Sequence, residues 1–214
     1  MTFWNQIRQR KAPGPIGKQV LYSFLVLLLG VALGTFSKFL DCTPSNESLH
    51  ILDYLDVRNF LGRFAFWILM GLWIAISGGS PGRAAVNVFL FFLGMVASYY
   101  LYSKYVGGFF PRSYAMVWFG FTAVSPLLAL PCWYAGGKGK ASFVLSVLLL
   151  AALFQCCFVG WWFHVEPRSL LELLTFLCAV WVLRRPTLRE SGILAGLGII
   201  LGVVFILTVP FHFG

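Results

Sequence analysis

Long apolar runs separated by short polar breaks dominate the chain, and their lengths set the expected architecture. A membrane-crossing helix needs about 20 mostly apolar residues. Runs near that size cover Gln19 to Leu40, Asn59 to Ser77, Ala84 to Tyr102, Ser113 to Tyr134, Ala141 to Phe163 and Ser191 to Pro210. A further run, Ser169 to Leu183, is short for a crossing and ends at Arg184-Arg185-Pro186. Two of the breaks carry strong turn chemistry, Gly78-Gly79-Ser80-Pro81-Gly82 and Gly136-Gly137-Lys138-Gly139-Lys140. The pattern predicts an all-α fold: a polytopic membrane helical bundle of seven transmembrane helices, or six if the short run is re-entrant. Pro126 and Pro131 are expected to kink the fourth span or end it early.

The segment Asp41 to Arg58 is different in kind. It holds four of the seven acids, Asp41, Glu47, Asp53 and Asp56. Thr43-Pro44 reads as an N-cap followed by proline at the first helical position. Leu49, Ile51, Leu52 and Leu55 then predict a short helix lying at the membrane surface. Residues 1–18 form a basic segment interrupted by Pro13, Gly14, Pro15 and Gly17. It is expected to be cytoplasmic and to precede a single transmembrane domain over 19–214, with 41–58 as an outer loop. The first apolar run is too long for a signal-peptide core, and Lys38-Phe39-Leu40-Asp41 after it is no cleavage site, so the run reads as a retained span.

Composition sharpens the class. Of the 214 residues, 59% are hydrophobic and 11% charged, and the mean hydropathy is +0.84. Soluble domains carry about 25% charged residues, so a soluble single-domain enzyme and a disordered chain are both excluded. The net charge of +9 would raise nucleic acid in a soluble protein. Here the cations sit between apolar runs and act as topology signals, and no nucleic-acid partner is expected. With the N-terminus inside, ten of the 16 basic residues face the cytosol: Arg8, Arg10, Lys11, Lys18, Arg83, Lys138, Lys140, Arg184, Arg185 and Arg189. Lys38, Arg58, Arg63, Lys104, Arg112 and Arg168 lie on the other side, and of the acids Glu190 alone is inner. Tyr and Trp near the span ends, such as Tyr22, Tyr99, Tyr102 and Trp133, fit an interfacial belt.

Ionisable groups at membrane depth are candidates for function. Arg63 and Glu172 each lie a few residues into a predicted span, at similar depth on the outer side, where they could pair. They read either as an ion pair locking two helices or as the lining of an outward-facing polar site. Lys38 and Asp41, three apart, form a local pair that could join them with Arg58, Glu166 and Arg168. These four, Arg63, Glu172, Lys38 and Asp41, are the candidate ligand-binding residues. Asn87 and Gln155 are the polar amides at depth and read as helix-packing groups. Small-residue spacing marks Gly30 and Gly34 in the first span and Gly192, Gly196, Gly198 and Gly202 in the last as helix-packing positions. A loose echo between Gly79–Arg83 and Arg185–Arg189 is too short to establish an internal repeat.

Catalytic and metal chemistry have little support. His50, His164 and His212 are scattered, with no metal-ligand spacing, and the five cysteines have no CxxC pair. No nucleophile elbow or phosphate-binding loop is present. Neither a metal nor a cofactor is expected. Asn46-Glu47-Ser48 is a glycosylation sequon that matters in a eukaryotic source alone.

The expected function is a small-solute transporter, or the membrane-embedded substrate-binding subunit of one. In size and helix number the chain is similar to the small membrane-embedded binding subunits of energy-coupling-factor transporters, although those usually have six spans. The similarity is architectural and carries no motif. The alternative is a non-catalytic accessory subunit of a larger membrane complex, in immunity or sensing, with a membrane enzyme ranked last. The expected partners are the lipid bilayer, a small polar solute, and a partner membrane subunit or a second copy. The expected location is a cell membrane, the bacterial inner membrane being the natural choice for so compact a chain.

Overall fold

The computed structural model describes residues 7–12, 14–44, 50–161 and 164–208. In chain order the elements are α1 (Ile16–Cys42), α2 (His50–Tyr54), α3 (Val57–Gly62), α4 (Phe64–Ser77), α5 (Pro81–Tyr105), α6 (Arg112–Ala135), α7 (Gly139–Cys157), β1 (Phe158–Trp161), β2 (His164–Pro167), α8 (Leu170–Val182) and α9 (Leu188–Thr208). Among the described residues, five helices are long and apolar enough to cross a membrane: α1, α5, α6, α7 and α9. The protein is therefore a helical, multi-pass membrane protein. Its contacts gather into two units, an amino-terminal unit (Arg10–Leu49 and Ile74–Trp133) and a carboxy-terminal unit (Met1–Gln9, His50–Trp73 and Tyr134–Gly214).

The amino-terminal unit is organised around α1 and α5. Contacts climb both helices in the same order: Ser23 meets Asn87, Gly30 meets Phe91, Gly34 meets Met95, and Asp41 meets Tyr99. The two helices therefore run parallel. Lys11 N donates to Gly79 O at 2.9 Å, which ties the turn before α5 to the start of α1. Small residues make the crossing possible. A Cβ on Gly30 or Gly34 would run into the backbone carbonyl of Phe91 or Met95, and one on Gly94 would lie 2.6 Å from Leu27 O. Half of the apolar window of α5 is buried, against 22% for α1, so α5 is central and α1 turns Val20, Leu21, Phe24, Leu25 and Leu28 outward to lipid.

The carboxy-terminal unit repeats the plan with α7 and α9. Gly198 faces Leu150, Gly202 faces Phe154 and Gly160 faces Ile206, again in ascending order on both partners, so these helices too are parallel. Here the glycines receive side chains rather than backbone. Gly192 and Gly196 meet nothing within 4 Å. Of the expected packing glycines, then, Gly30, Gly34, Gly198 and Gly202 stand at crossings and the other two do not. Their stretch of α9 precedes the crossing, and among the described residues nothing lies within 4 Å of a Cβ placed there.

Several expectations need correction. The second span is not one helix: it breaks at Arg63, whose backbone is extended between α3 and α4 (φ −98°, ψ 164°). That leaves α4 with 14 residues, about 21 Å at 1.5 Å per residue. The short run after the hairpin forms α8, with 13 residues. The fifth span stops at Cys157, and Phe158–Trp161 pairs antiparallel with His164–Pro167 instead of continuing as helix. Among the described residues the fold is thus helical apart from one pair of strands. Aromatic and β-branched residues cluster there, and Gly160 gives Ile206 room to pack. Thr43 is the C-cap of α1, its hydroxyl donating to Phe39 O at 2.8 Å, and the start of the helix expected after it lies outside the described residues. A short helix does follow, α2, with Ile51 and Tyr54 exposed. Pro126 and Pro131 neither end α6 nor cut it short. Pro126 lacks the N–H that would bond Thr122 O, and Ser125 Oγ donates to that carbonyl at 2.8 Å in its place.

Candidate functional site

The two charge clusters are built locally, one in each unit. In the carboxy-terminal unit Arg63 Nη1 donates to Glu172 Oε1 at 2.6 Å, and Nη2 lies 3.5 Å from Asp56 Oδ2. Glu172 is fully buried. It sits in the first turn of α8, where Ser169 caps the helix by accepting from Leu171 N at 3.1 Å and also donates to the Glu172 carboxylate. Ser169-x-x-Glu172 is the sequence signature of a capping box, a signal that was available without coordinates. The positive end of α8 adds further stabilisation to the carboxylate. Arg63 lies at the break between α3 and α4, reaching acids on either side of it in the chain. Asp56 is held in turn by Asn59 Nδ2 at 2.6 Å. Every charge in this cluster is matched, and the arrangement reads as a clamp between α3 and α8.

In the amino-terminal unit, Lys38 Nζ lies 3.7 Å from Asp41 Oδ2 and 5.0 Å from the centroid of the Tyr99 ring. Tyr99 Oη donates to Asp41 Oδ2 at 2.5 Å. This again is a closed set of partners, fastening the end of α1 to α5. Glu166 is exposed on β2 opposite Val159, and Arg168 N donates to Cys157 O at 3.0 Å. His50 and His164 are exposed, and His212 lies outside the described residues. Among the described residues no three His, Cys, Asp or Glu side chains gather where a metal ion could sit.

The basic ends of the units differ. In the carboxy-terminal unit, Arg185 follows α8 and is enclosed by acceptors. Its guanidinium donates to Gly137 O at 2.9 Å, to Ser142 Oγ at 3.2 Å and to Ser146 Oγ at 2.8 Å, with Ala135 O at 3.5 Å. Ser142 and Ser146 are one turn apart on α7, and Ala135 and Gly137 offer carbonyls left over at the end of α6. A cation there also suits the negative end of that helix. Burial lowers the pKa of Arg185 from its ordinary value.

In the amino-terminal unit the corresponding end holds a cavity of about 500 Å³. It is lined by Arg10, Lys11, Lys18 and Arg83 at its rim, with Gln19, Tyr22, Ser77, Ser80 and Asn87 further in. Spacing explains the convergence: Lys18, Gln19 and Tyr22 share one face of α1, and Ser80, Arg83 and Asn87 share one face of α5. Ser80 caps α5 by accepting from Arg83 N at 3.4 Å, with Pro81 in the first turn. Asn87 lies about 9 Å along α5 from its start and is 2% exposed. Ser23 Oγ donates to its Oδ1 at 2.7 Å. Its Nδ2 has no partner among the described residues and faces the cavity that Asn87 lines. Beyond that level the glycine crossing brings the two backbones together. Arg63, Glu172, Lys38 and Asp41 line no part of this cavity. Sequence reading assigned its cations to topology and Asn87 to packing. The turn signal at Gly78–Gly82 was legible, but the parallel pairing that brings it beside Lys18 was not.

The chain matches no protein-family model, no curated protein and no solved structure.

Proposed function

We propose that the protein crosses a bacterial inner membrane seven times, with its N-terminus in the cytosol, and serves as the solute-binding membrane component of a transport system. The cavity of the amino-terminal unit carries this reading. Its volume of about 500 Å³ falls in the 300–1,000 Å³ range of small-molecule sites, which combine apolar walls with a few placed polar groups. The build of the units supports it. Each has two long helices that run parallel, and the stretch of chain that precedes α5 is interrupted at Arg63, between α3 and α4. Repeated units with broken helices are a common construction in membrane transporters. In this reading the solute meets the cavity residues, while Arg63, Glu172, Lys38 and Asp41 hold helix ends. The role is non-catalytic.

A metabolite panel against the purified protein in lipid nanodiscs tests the binding claim, because a ligand that binds the folded state alone raises its melting temperature. At least one small polar compound is expected to stabilise the wild type, and Asn87→Leu, which places a methyl-capped side chain on the cavity floor, is expected to abolish the effect. A panel without a hit, or a hit indifferent to Asn87→Leu, overturns the assignment. Cysteine labelling of Lys138→Cys from the cytosolic face tests the orientation.

One observation favours a second reading as an accessory subunit. Gly192 and Gly196 on α9 meet no neighbour within 4 Å of an added Cβ among the described residues. Such a face suits close approach of another membrane helix, from a partner or a second copy. Loss of a co-purifying subunit, or of a dimer, on Gly196→Leu would support it.

A further inference from the structure

We infer that the cavity of the amino-terminal unit is a receptor for a phosphate group, an inference that rests on the binding role proposed above for that cavity. Four of its lining side chains are cationic, Arg10, Lys11, Lys18 and Arg83, and none of its lining residues is acidic. No salt bridge engages any of the four among the described residues. A cleft lined by one sign of charge against low-dielectric walls concentrates counter-ions of the opposite sign. Two further features converge on the same place. The parallel helices α1 and α5 begin there, at Ile16 and Pro81, and both direct the positive ends of their dipoles toward it. The buried amide of Asn87 adds a neutral donor, Nδ2, which the described residues leave without an acceptor.

The chemistry of the lining selects among solutes. A cation would be repelled at the rim. A neutral sugar would leave four charges unused. A carboxylate presents two acceptor oxygens and one charge. A phosphate monoester presents three acceptor oxygens and close to two charges near neutral pH, which matches several separated donors and the planar fork of Arg83. Position distinguishes the cavity from a mere topology signal. Cations that set orientation need no enclosure, whereas Arg83 is half-buried and shares its helix face with Asn87, a turn further in. The phosphate could arrive on a soluble ester or on a lipid headgroup from the cytosolic leaflet, since both present the same phosphate oxygens and basic pockets between membrane helices are known to hold headgroups.

The test uses the full chain in phosphatidylcholine nanodiscs, with inorganic phosphate and glycerol phosphate as soluble probes and chloride at matched ionic strength as control. In a parallel arm, phosphatidic acid is added to the discs and lipid retention is read by native mass spectrometry. Saturable stabilisation by the soluble probes, weakened at least tenfold in Arg83→Gln and in Lys18→Gln but kept in Lys140→Gln, assigns the site to a soluble phosphate. Retention of phosphatidic acid by the wild type but not by Arg83→Gln, without a response to soluble probes, assigns it to a lipid headgroup. Arg83→Lys keeps the charge and separates loss of the fork from loss of the fold. Equal behaviour of wild type and Arg83→Gln toward both probes overturns the inference. If a non-phosphate compound then still binds in an Asn87-dependent way, the cavity's binding role stands and the phosphate assignment alone has failed. If nothing binds, both have failed.

Discussion

Two long helices running parallel form the framework of each unit, yet the units finish their basic ends in opposite ways. Around α7 and α9 the cation is consumed. Ser142 and Ser146 stand one turn apart beneath Arg185, and Ala135 and Gly137 supply carbonyls, so the guanidinium closes that end. Around α1 and α5 the corresponding positions hold Gln19, Tyr22 and Asn87, and the cations at the rim ring a cavity instead of filling one. The lesson is about acceptors. A helix-end arginine is structural when hydroxyls and carbonyls close around its guanidinium, as at Arg185, and available to a ligand when, like Arg83, it makes no side-chain hydrogen bond among the described residues although hydroxyls line the same cavity. Cation count alone does not separate the two, since both ends are basic.

The packing of the long helices differs in a parallel way. Gly30, Gly34 and Gly94 bring backbone against backbone, whereas Gly198 and Gly202 accept the side chains of Leu150 and Phe154. At the first set an added Cβ runs into backbone oxygen, whereas at Gly198 it would meet the Leu150 Cβ at the less severe 2.8 Å. The amino-terminal crossing should therefore tolerate added bulk less well.

The largest effect is expected at the buried ion pair. Glu172→Leu leaves Arg63 without its closest partner and should cost about 3–5 kcal/mol of stability, while Arg63→Met combined with Glu172→Leu should recover much of it, since the penalty lies in an uncompensated charge. Denaturant melts of the single and double variants in detergent decide this. Glu190→Gln, at an exposed position, serves as the control that should not move. A double variant no better than the single one would show that the pair contributes more than a clamp.

Next in size, Gly34→Ala should destabilise by about 1–3 kcal/mol through overpacking and Gly198→Ala by less, because its closest contact, the Leu150 Cβ at 2.8 Å, is a milder clash than a backbone carbonyl. The reverse order in a thermal-melt comparison would break the distinction between the two crossings. Arg185→Gln removes several charge-assisted hydrogen bonds and should cost about 1–3 kcal/mol. Hydrogen exchange should then rise at residues 135–142 and stay unchanged at the cavity rim. Smallest of all, Gly192→Ala should lie within about 0.5 kcal/mol of wild type when the protein is alone. A larger loss would mean that another helix already covers that face.

Much of the architecture was legible in one dimension. The apolar runs located every membrane-length helix, because a lipid interior imposes a length and a composition on whatever crosses it. The pairing of Arg63 with Glu172 was foreseeable too, as two charges at matching depth with no water to hold them apart. What sequence reading missed was local competition. Arg63 interrupts its span because carboxylates on both sides draw it out, and the chain leaves the helix at Phe158, which packs on α7 and α8, stacked on Phe154 at 4.2 Å and edge-on to Phe176.

Hydropathy and loop charge thus determined that this chain lives in a membrane and which way it is expected to face, since both depend on sums over many residues that no single contact reverses. Tertiary structure alone decided which helices run side by side, which glycines meet a neighbour, and which cations are spent on carbonyls and which surround an open cavity. Those outcomes depend on a few ångströms between residues some 60 positions apart, such as Ser23 and Asn87, and nothing in the order of the letters sets that distance.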